Sequence, residues 1–150
     1  MMGFVDSRSP KNSRVMALDV GDRRIGIAIT DALGITVQGR PTWARTSPQA
    51  DIGHLREIVE TDGVAAIVIG HPLNMDGSGS AQTRKVEAFA RRVEADLGVA
   101  VHLWDERLTS FAADQDLEAM GFNWKKRRKH VDELAATLIL EDYLASGQNA

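Results

Sequence analysis

Residues 64–69 read Val-Ala-Ala-Ile-Val-Ile, an unbroken β-rich apolar run with Asp62-Gly63 before it and Gly70 after it. A half-buried strand alternates apolar and polar residues. A strand without that alternation is buried on both faces, as in the centre of a parallel sheet. Such a strand obliges the chain to lay helices over each face, which demands an α/β layered fold.

The flanking segments supply those layers. Upstream, Ser47-Pro48 is a helix start, with an N-cap hydroxyl and proline in the first turn. Ile52, Leu55, Ile58 and Val59 then mark one helical face, and Asp62-Gly63 closes it. Downstream, beyond a loop over 70–79, Val86, Phe89, Ala90, Val93 and Leu97 recur at helical spacing. A strand over 99–104 follows and ends in Asp105-Glu106. A helix is expected over 109–120, stopping at Gly121, then a basic loop, then a last helix from Asp132 to about residue 144. At the other end, Arg14-Val-Met-Ala-Leu-Asp-Val20 and Ile25-Gly-Ile-Ala-Ile-Thr30 flank the turn Gly21-Asp22-Arg23-Arg24, the pattern of an antiparallel hairpin. A third strand over 35–46 carries Gly39 and Pro41, which suits a sheet edge. An opening meander followed by alternating helices and strands gives a mixed sheet.

The 150 residues suffice for one domain, expected over 14–150. Residues 1–13 are polar, contain Pro10, lack periodicity and are expected to form a flexible tail. With no cysteine there is no disulfide and no thiolate metal site. No apolar run approaches the roughly 18 residues of a membrane helix, and the N-terminus lacks the apolar core of a secretory signal. The expected location is the cytoplasm, with no membrane partner.

The net charge of −3 argues weakly against a nucleic-acid partner, but its distribution does not. Lys125, Lys126, Arg127, Arg128 and Lys129 are consecutive, and taking those five from the total leaves −8 on the rest. A basic segment on an acidic body points to a local anion contact. Charge runs are often only solvated. Beside a phosphate-cleaving site, this one would contact a phosphate backbone and make binding fall with salt. Trp124, just before it, either stacks a base or anchors the segment.

Three acidic positions could carry chemistry. Asp19 interrupts a buried-strand pattern, where an uncompensated carboxylate would cost several kcal/mol. It is either paired with Arg23 or Arg24 across the hairpin or a metal ligand held on rigid sheet. Asp105 and Glu106 sit where a strand ends, the place where open α/β sheets gather ligands; alternation does not choose between them, and a solvated strand end is the plainer reading. Asp132 is a good first-turn acid at a helix start. It also shares an inward stripe with Ala136, Ile139 and Tyr143. Together, such acids suit phosphodiester hydrolysis, which needs charge neutralisation, an activated water and a stabilised leaving alkoxide. Two divalent ions about 3.5–4 Å apart meet all three needs, and hard Mg²⁺ or Mn²⁺ prefers oxygen ligands. The histidines at 54, 71, 102 and 130 have no zinc spacing.

Four blocks occur in order: Ala17-Leu-Asp-Val-Gly21 with Arg24-Ile-Gly-Ile-Ala28; Val68-Ile-Gly-His-Pro-Leu-Asn-Met-Asp-Gly77; Trp104-Asp-Glu-Arg-Leu-Thr109; and Val131-Asp-Glu-Leu-Ala-Ala136. In this arrangement the chain resembles the YqgF (RuvX, Holliday-junction-resolvase-like) family of pre-16S ribosomal RNA nucleases, from about residue 14 to 144. The resemblance implies an RNase H-like fold: a central five-stranded mixed sheet, with a three-strand antiparallel meander plus two parallel strands, flanked by helices. By position it implies Asp19, Glu106 and Asp132 as catalytic and metal-binding acids, choosing Glu106 over Asp105. It places the loop from Pro72 to Gly77 beside the site, with Asn74, Asp76 and Arg107 joining the basic run as candidate substrate contacts. His71 departs from the family pattern, which has an apolar residue before the proline, and is expected to alter the rim of the site.

The resulting expectation is a two-metal nuclease acting on RNA. A resolvase of branched DNA is the nearest alternative, and would call for a homodimer because two strands must be cut. A non-catalytic binding module would have lost its acids, and all three are kept. An actin-like ATPase also begins with Asp-x-Gly, but needs two such domains.

Overall fold

The computed structural model describes residues 14–105 and 124–146, with the backbone alone over 124–133. The tail expected over 1–13 and the helix expected over 109–120 lie outside the described residues. The chain runs β1 (Arg14–Val20), β2 (Arg24–Thr30), β3 (Val37–Ala44), α1 (Pro48–Asp62), β4 (Val64–His71), α2 (Ala81–Leu97), β5 (Ala100–Asp105) and α3 (Trp124–Ala145). The five strands form one sheet in the order β3-β2-β1-β4-β5. Pairs β1–β2 and β2–β3 are antiparallel, and β1–β4 and β4–β5 are parallel. This is the mixed sheet of the RNase H-like fold, with β4 in its parallel interior and the proline-containing β3 at an edge.

Local chemistry explains the boundaries. Ser47 caps α1, its hydroxyl accepting from the Ala50 amide at 3.1 Å, and Pro48 fills the first helical position, where no amide is needed. Gly63 ends the helix at φ 70°, a left-handed conformation that glycine adopts without strain. Helix α3 differs from expectation. It begins at Trp124 rather than at Asp132, so residues 125–129 are helical and not a loop, and Asp132 lies in the helix interior instead of capping it. Lysine and arginine are good helix formers, and no glycine or proline interrupts 124–132.

Two apolar layers divide the molecule. Met16, Leu18 and Val20 of β1, Ile25, Ile27 and Ile29 of β2, and Ile67 and Ile69 of β4 pack under α1 and α2. The alternate residues Val15, Ala17, Ala28 and Val68 pack under α3, against Ala136, Ile139, Leu140 and Tyr143. The inward stripe expected for the last helix is therefore present at its three described positions, since Ala136, Ile139 and Tyr143 are all buried. Among the described residues no helix is long and apolar enough to cross a membrane.

Candidate active site

The period-two geometry of a strand assigns Asp19 a face. Leu18 and Val20 belong to the α1/α2 layer and Ala17 to the α3 layer, so Asp19 projects to the α3 side. It is half-buried. Its antiparallel partner on β2 is Gly26. On β4, Ile69 is the partner of Leu18, which sets Gly70 next along beside Asp19. Asp19 thus stands on the sheet between two buried glycines, with no side chain beside it on either neighbouring strand. Glycine inside a strand marks a place where another group approaches the backbone closely. Sequence reasoning missed both glycines as site residues, although Gly26 interrupts and Gly70 ends a run of β-branched residues.

The same rule gives Asp105, at the end of β5, its face. Val101 packs in the α1/α2 layer and Trp104 in the α3 layer, where Trp104 meets Tyr143 edge-on at 5.7 Å and His102 lies 6.0 Å from the same ring. Asp105, next after Trp104, falls on the α1/α2 face, across the sheet from Asp19. Glu106 and Arg107 lie outside the described residues. So do the side chains of Asp132, Trp124, His130 and the basic run Lys125, Lys126, Arg127, Arg128 and Lys129. The backbone of Asp132 is one helical turn before the buried Ala136 of α3. Among the described residues no three acids or histidines form a metal-sized cluster.

The loop after β4 leaves the same end of the sheet as the turn after Asp19, because β1 and β4 are parallel. It is internally bonded. The Asn74 amide side chain donates to Ser78 Oγ at 2.9 Å, and Asp76 Oδ1 accepts from the Ser78 amide at 2.9 Å and from its hydroxyl at 2.6 Å. Asn74 and Asp76 therefore shape the loop, and Ser78 is a member of the set that the motif did not suggest. At the tip, Met75 is 82% exposed. His71 follows Ile69 by two and so faces α2, where its Nε2 lies 2.8 Å from Glu87. The departure at His71 is taken up by that pairing, on the face opposite Asp19.

Helix α2 braces both loops. Thr83, buried in its first turn, donates its hydroxyl to the Pro72 carbonyl and accepts the Ser80 amide at 2.9 Å. Gln82 donates to the Val20 carbonyl at 3.4 Å, and Lys85 lies 3.5 Å from Asp22.

A family model described as "RuvX: Holliday junction resolvase" matches residues 13–146. A protein of Syntrophus aciditrophicus named "Putative pre-16S rRNA nuclease" is 47% identical over 131 residues, covering 87% of each chain. One of Moorella thermoacetica with the same name is 45% identical over 137 residues, covering 91% of this chain and 98% of the other. Among solved structures, that of T. thermophilus RuvC in complex with a Holliday junction substrate superposes with a TM-score of 0.56 at 17% identity. It covers 89% of this chain and 96% of that one, a likeness of fold.

Proposed function

Because this chain belongs to the RuvX family and is a nuclease that hydrolyses phosphodiester bonds, we propose that it acts on RNA, at the 5′ end of the 16S ribosomal RNA precursor, through Asp19, Glu106 and Asp132. The observation that carries the reading is the setting of Asp19, a carboxylate projecting from rigid sheet between Gly26 and Gly70 on the face covered by α3. The RNA assignment draws on the names of the two relatives. The working compartment is the cytoplasm.

The donor chemistry fits a hard divalent cation. Carboxylate oxygens are its preferred ligands, and the chain has no thiolate to select a softer ion. Asp19, Glu106 and Asp132 would hold Mg²⁺ or Mn²⁺, as a pair of ions. When bound, the ions neutralise the phosphodiester and lower the pKa of the attacking water. The protein's own part is to hold Asp19 on rigid sheet, on the face where the buried Gly26 and Gly70 place no side chain beside it. In-line attack then leaves 5′-phosphate and 3′-hydroxyl ends. The loop from Pro72 to Gly77, Arg107 and the basic run guide the strand.

A second reading, cleavage of four-way DNA junctions, draws on the description of the matching family model. It would call for a homodimer, since two strands are cut. One panel decides. Wild-type protein and Asp19→Asn are given single-stranded RNA, a ribosomal precursor fragment and a synthetic junction, each with Mg²⁺ and with Mn²⁺. The expected result is metal-dependent cleavage of the precursor by wild type alone, with the variant folded by circular dichroism. Undiminished cleavage by Asp19→Asn overturns the catalytic assignment. Cleavage of the junction but of neither RNA overturns the substrate in favour of the second reading.

A further inference from the structure

Among the described residues, the machinery above leaves one fully buried carboxylate without a task. Asp51, in the first turn of α1, is 1% exposed. Its two oxygens accept from Trp43 Nε1 at 2.9 Å and from Arg45 Nε at 2.8 Å. Arg45 follows β3 directly and reaches the turn that closes the β1–β2 hairpin. Its Nη1 donates to the Gly21 carbonyl at 2.8 Å, while its own amide donates to the Arg23 carbonyl at 2.9 Å. The guanidinium also lies over the Phe89 ring, 5.0 Å from the centroid. One residue therefore grips both sides of the turn, and it is fixed in turn by a buried acid and an aromatic face.

The turn has little slack of its own. The Gly21 amide donates to the Arg24 carbonyl at 2.8 Å, and a Cβ on Gly21 would come within 3.1 Å of that same oxygen. A buried ion pair adds little stability over apolar packing, because desolvating two charges offsets their attraction. What a bidentate arginine does supply is fixed geometry, since its planar fork holds two acceptors at once. Here those acceptors are Asp51 and a carbonyl two residues beyond Asp19.

We propose that Arg45, oriented by Asp51, is a positioning residue for Asp19: it locks the hairpin turn and so fixes the backbone from which the carboxylate projects. This inference rests on the catalytic reading of Asp19. It is independent of which nucleic acid is cut.

The test compares Arg45→Lys with Arg40→Lys. Lysine at 45 keeps a cation for Asp51 but cannot span Asp51 and the Gly21 carbonyl together. Arg40 joins the same two elements through an ion pair to Asp62 at 2.9 Å and is remote from the turn, so it controls for lost stability. Arg45→Lys is expected to lower kcat by about 100-fold, the cost of roughly 1 Å of misplacement, with KM for whichever nucleic acid the wild type cuts unchanged. The Mn²⁺ concentration for half-maximal rate should rise at least about fivefold, and in metal-free protein the Gly21 amide should exchange hydrogen about tenfold faster. Arg40→Lys should leave all three near wild type. Wild-type kcat and Mn²⁺ dependence in Arg45→Lys overturn the proposal, as does an equal loss in Arg40→Lys. If Asp19→Asn cleaves normally, the catalytic reading fails instead, and the exchange rate at Gly21 still reports whether Arg45 locks the turn.

Discussion

Replacing Thr83 by valine removes one hydroxyl and keeps the shape of the side chain, so it isolates what that hydroxyl does for the loop beside Asp19. Thr83 is 2% exposed, and its Oγ1 both accepts the Ser80 amide and donates to the Pro72 carbonyl. Valine leaves that donor and that acceptor unmatched. A buried polar group without a partner costs about 1–3 kcal/mol. Ser80 and Pro72 are only half-buried, so water meets part of the need and each loss lies near the lower end. The sum is about 2 kcal/mol, equivalent to about 4–8 °C in Tm for a chain of this size. Thr83→Ser keeps the hydroxyl and gives up one methyl, worth about 0.8 kcal/mol. Urea unfolding followed by tryptophan fluorescence measures both, with an unchanged m value expected because the surface exposed on unfolding is the same. Stability should fall in the order wild type, serine, valine. A valine variant as stable as wild type, or more stable than serine, would refute the argument that this hydroxyl ties the Pro72 loop to α2.

Two further outcomes test other parts of the molecule. Gly70→Ala adds a methyl on the face of Asp19; kcat should drop tenfold or more, while stability in urea changes by no more than about 1–3 kcal/mol, and full activity would show that the space is not used. His54 stacks on Trp43 at 4.0 Å, and burial holds its pKa below the usual 6.5, against the opposing pull of Glu57 and Asp51. The unfolded chain therefore binds the proton first as pH falls, so stability is complete above about pH 6.5 and declines below it towards the folded pKa. His54→Phe, which keeps the stacked ring, should flatten the dependence of the urea midpoint between pH 7 and 5.5; an unchanged slope would assign that dependence to other groups.

Much of this architecture was legible because its signals are local. Ser47-Pro48 and Asp62-Gly63 bracket α1 as read, since a cap needs only a hydroxyl, a missing amide and one left-handed residue. The hairpin around Gly21 and the doubly covered β4 were equally plain. The start of α3 was not, because five consecutive cations read as solvated loop and Asp132 as a cap. Charge says where a segment meets water and nothing about its backbone, for which lysine and arginine are well suited to helix. The Arg45–Asp51 network was invisible for a different reason. Its members come from β3, α1, α2 and the hairpin turn, and no spacing in the sequence announces that four such segments converge.

The setting of Asp19 was legible, but in the size of its neighbours rather than their polarity. In β1 the even positions Met16, Leu18 and Val20 are large, while Ala17 and Asp19 between them are small or polar. In β2, Ile25, Ile27 and Ile29 alternate with Gly26 and Ala28. In β4, Gly70 follows the large Ile67 and Ile69 on the opposite phase. Read for polarity, these stretches are apolar runs broken by Asp19 alone. Read for volume, β1 over 16–20 and β2 over 25–29 have period two, and a period of two assigns faces. One face then carries the bulk of the core beneath α1 and α2, and the other sets Ala17, Ala28 and the two glycines between Val15 and Val68, where Ala136 of α3 is fully buried. A helix can approach a sheet closely only over small side chains. The face that admits α3 is thus the face that bears Asp19, and the helix that comes down upon it is the one whose sequence contains Asp132. Helix α3, which contains Asp132, and the side chain of Asp19 therefore share one layer of the fold, over the glycines and alanines of β1, β2 and β4.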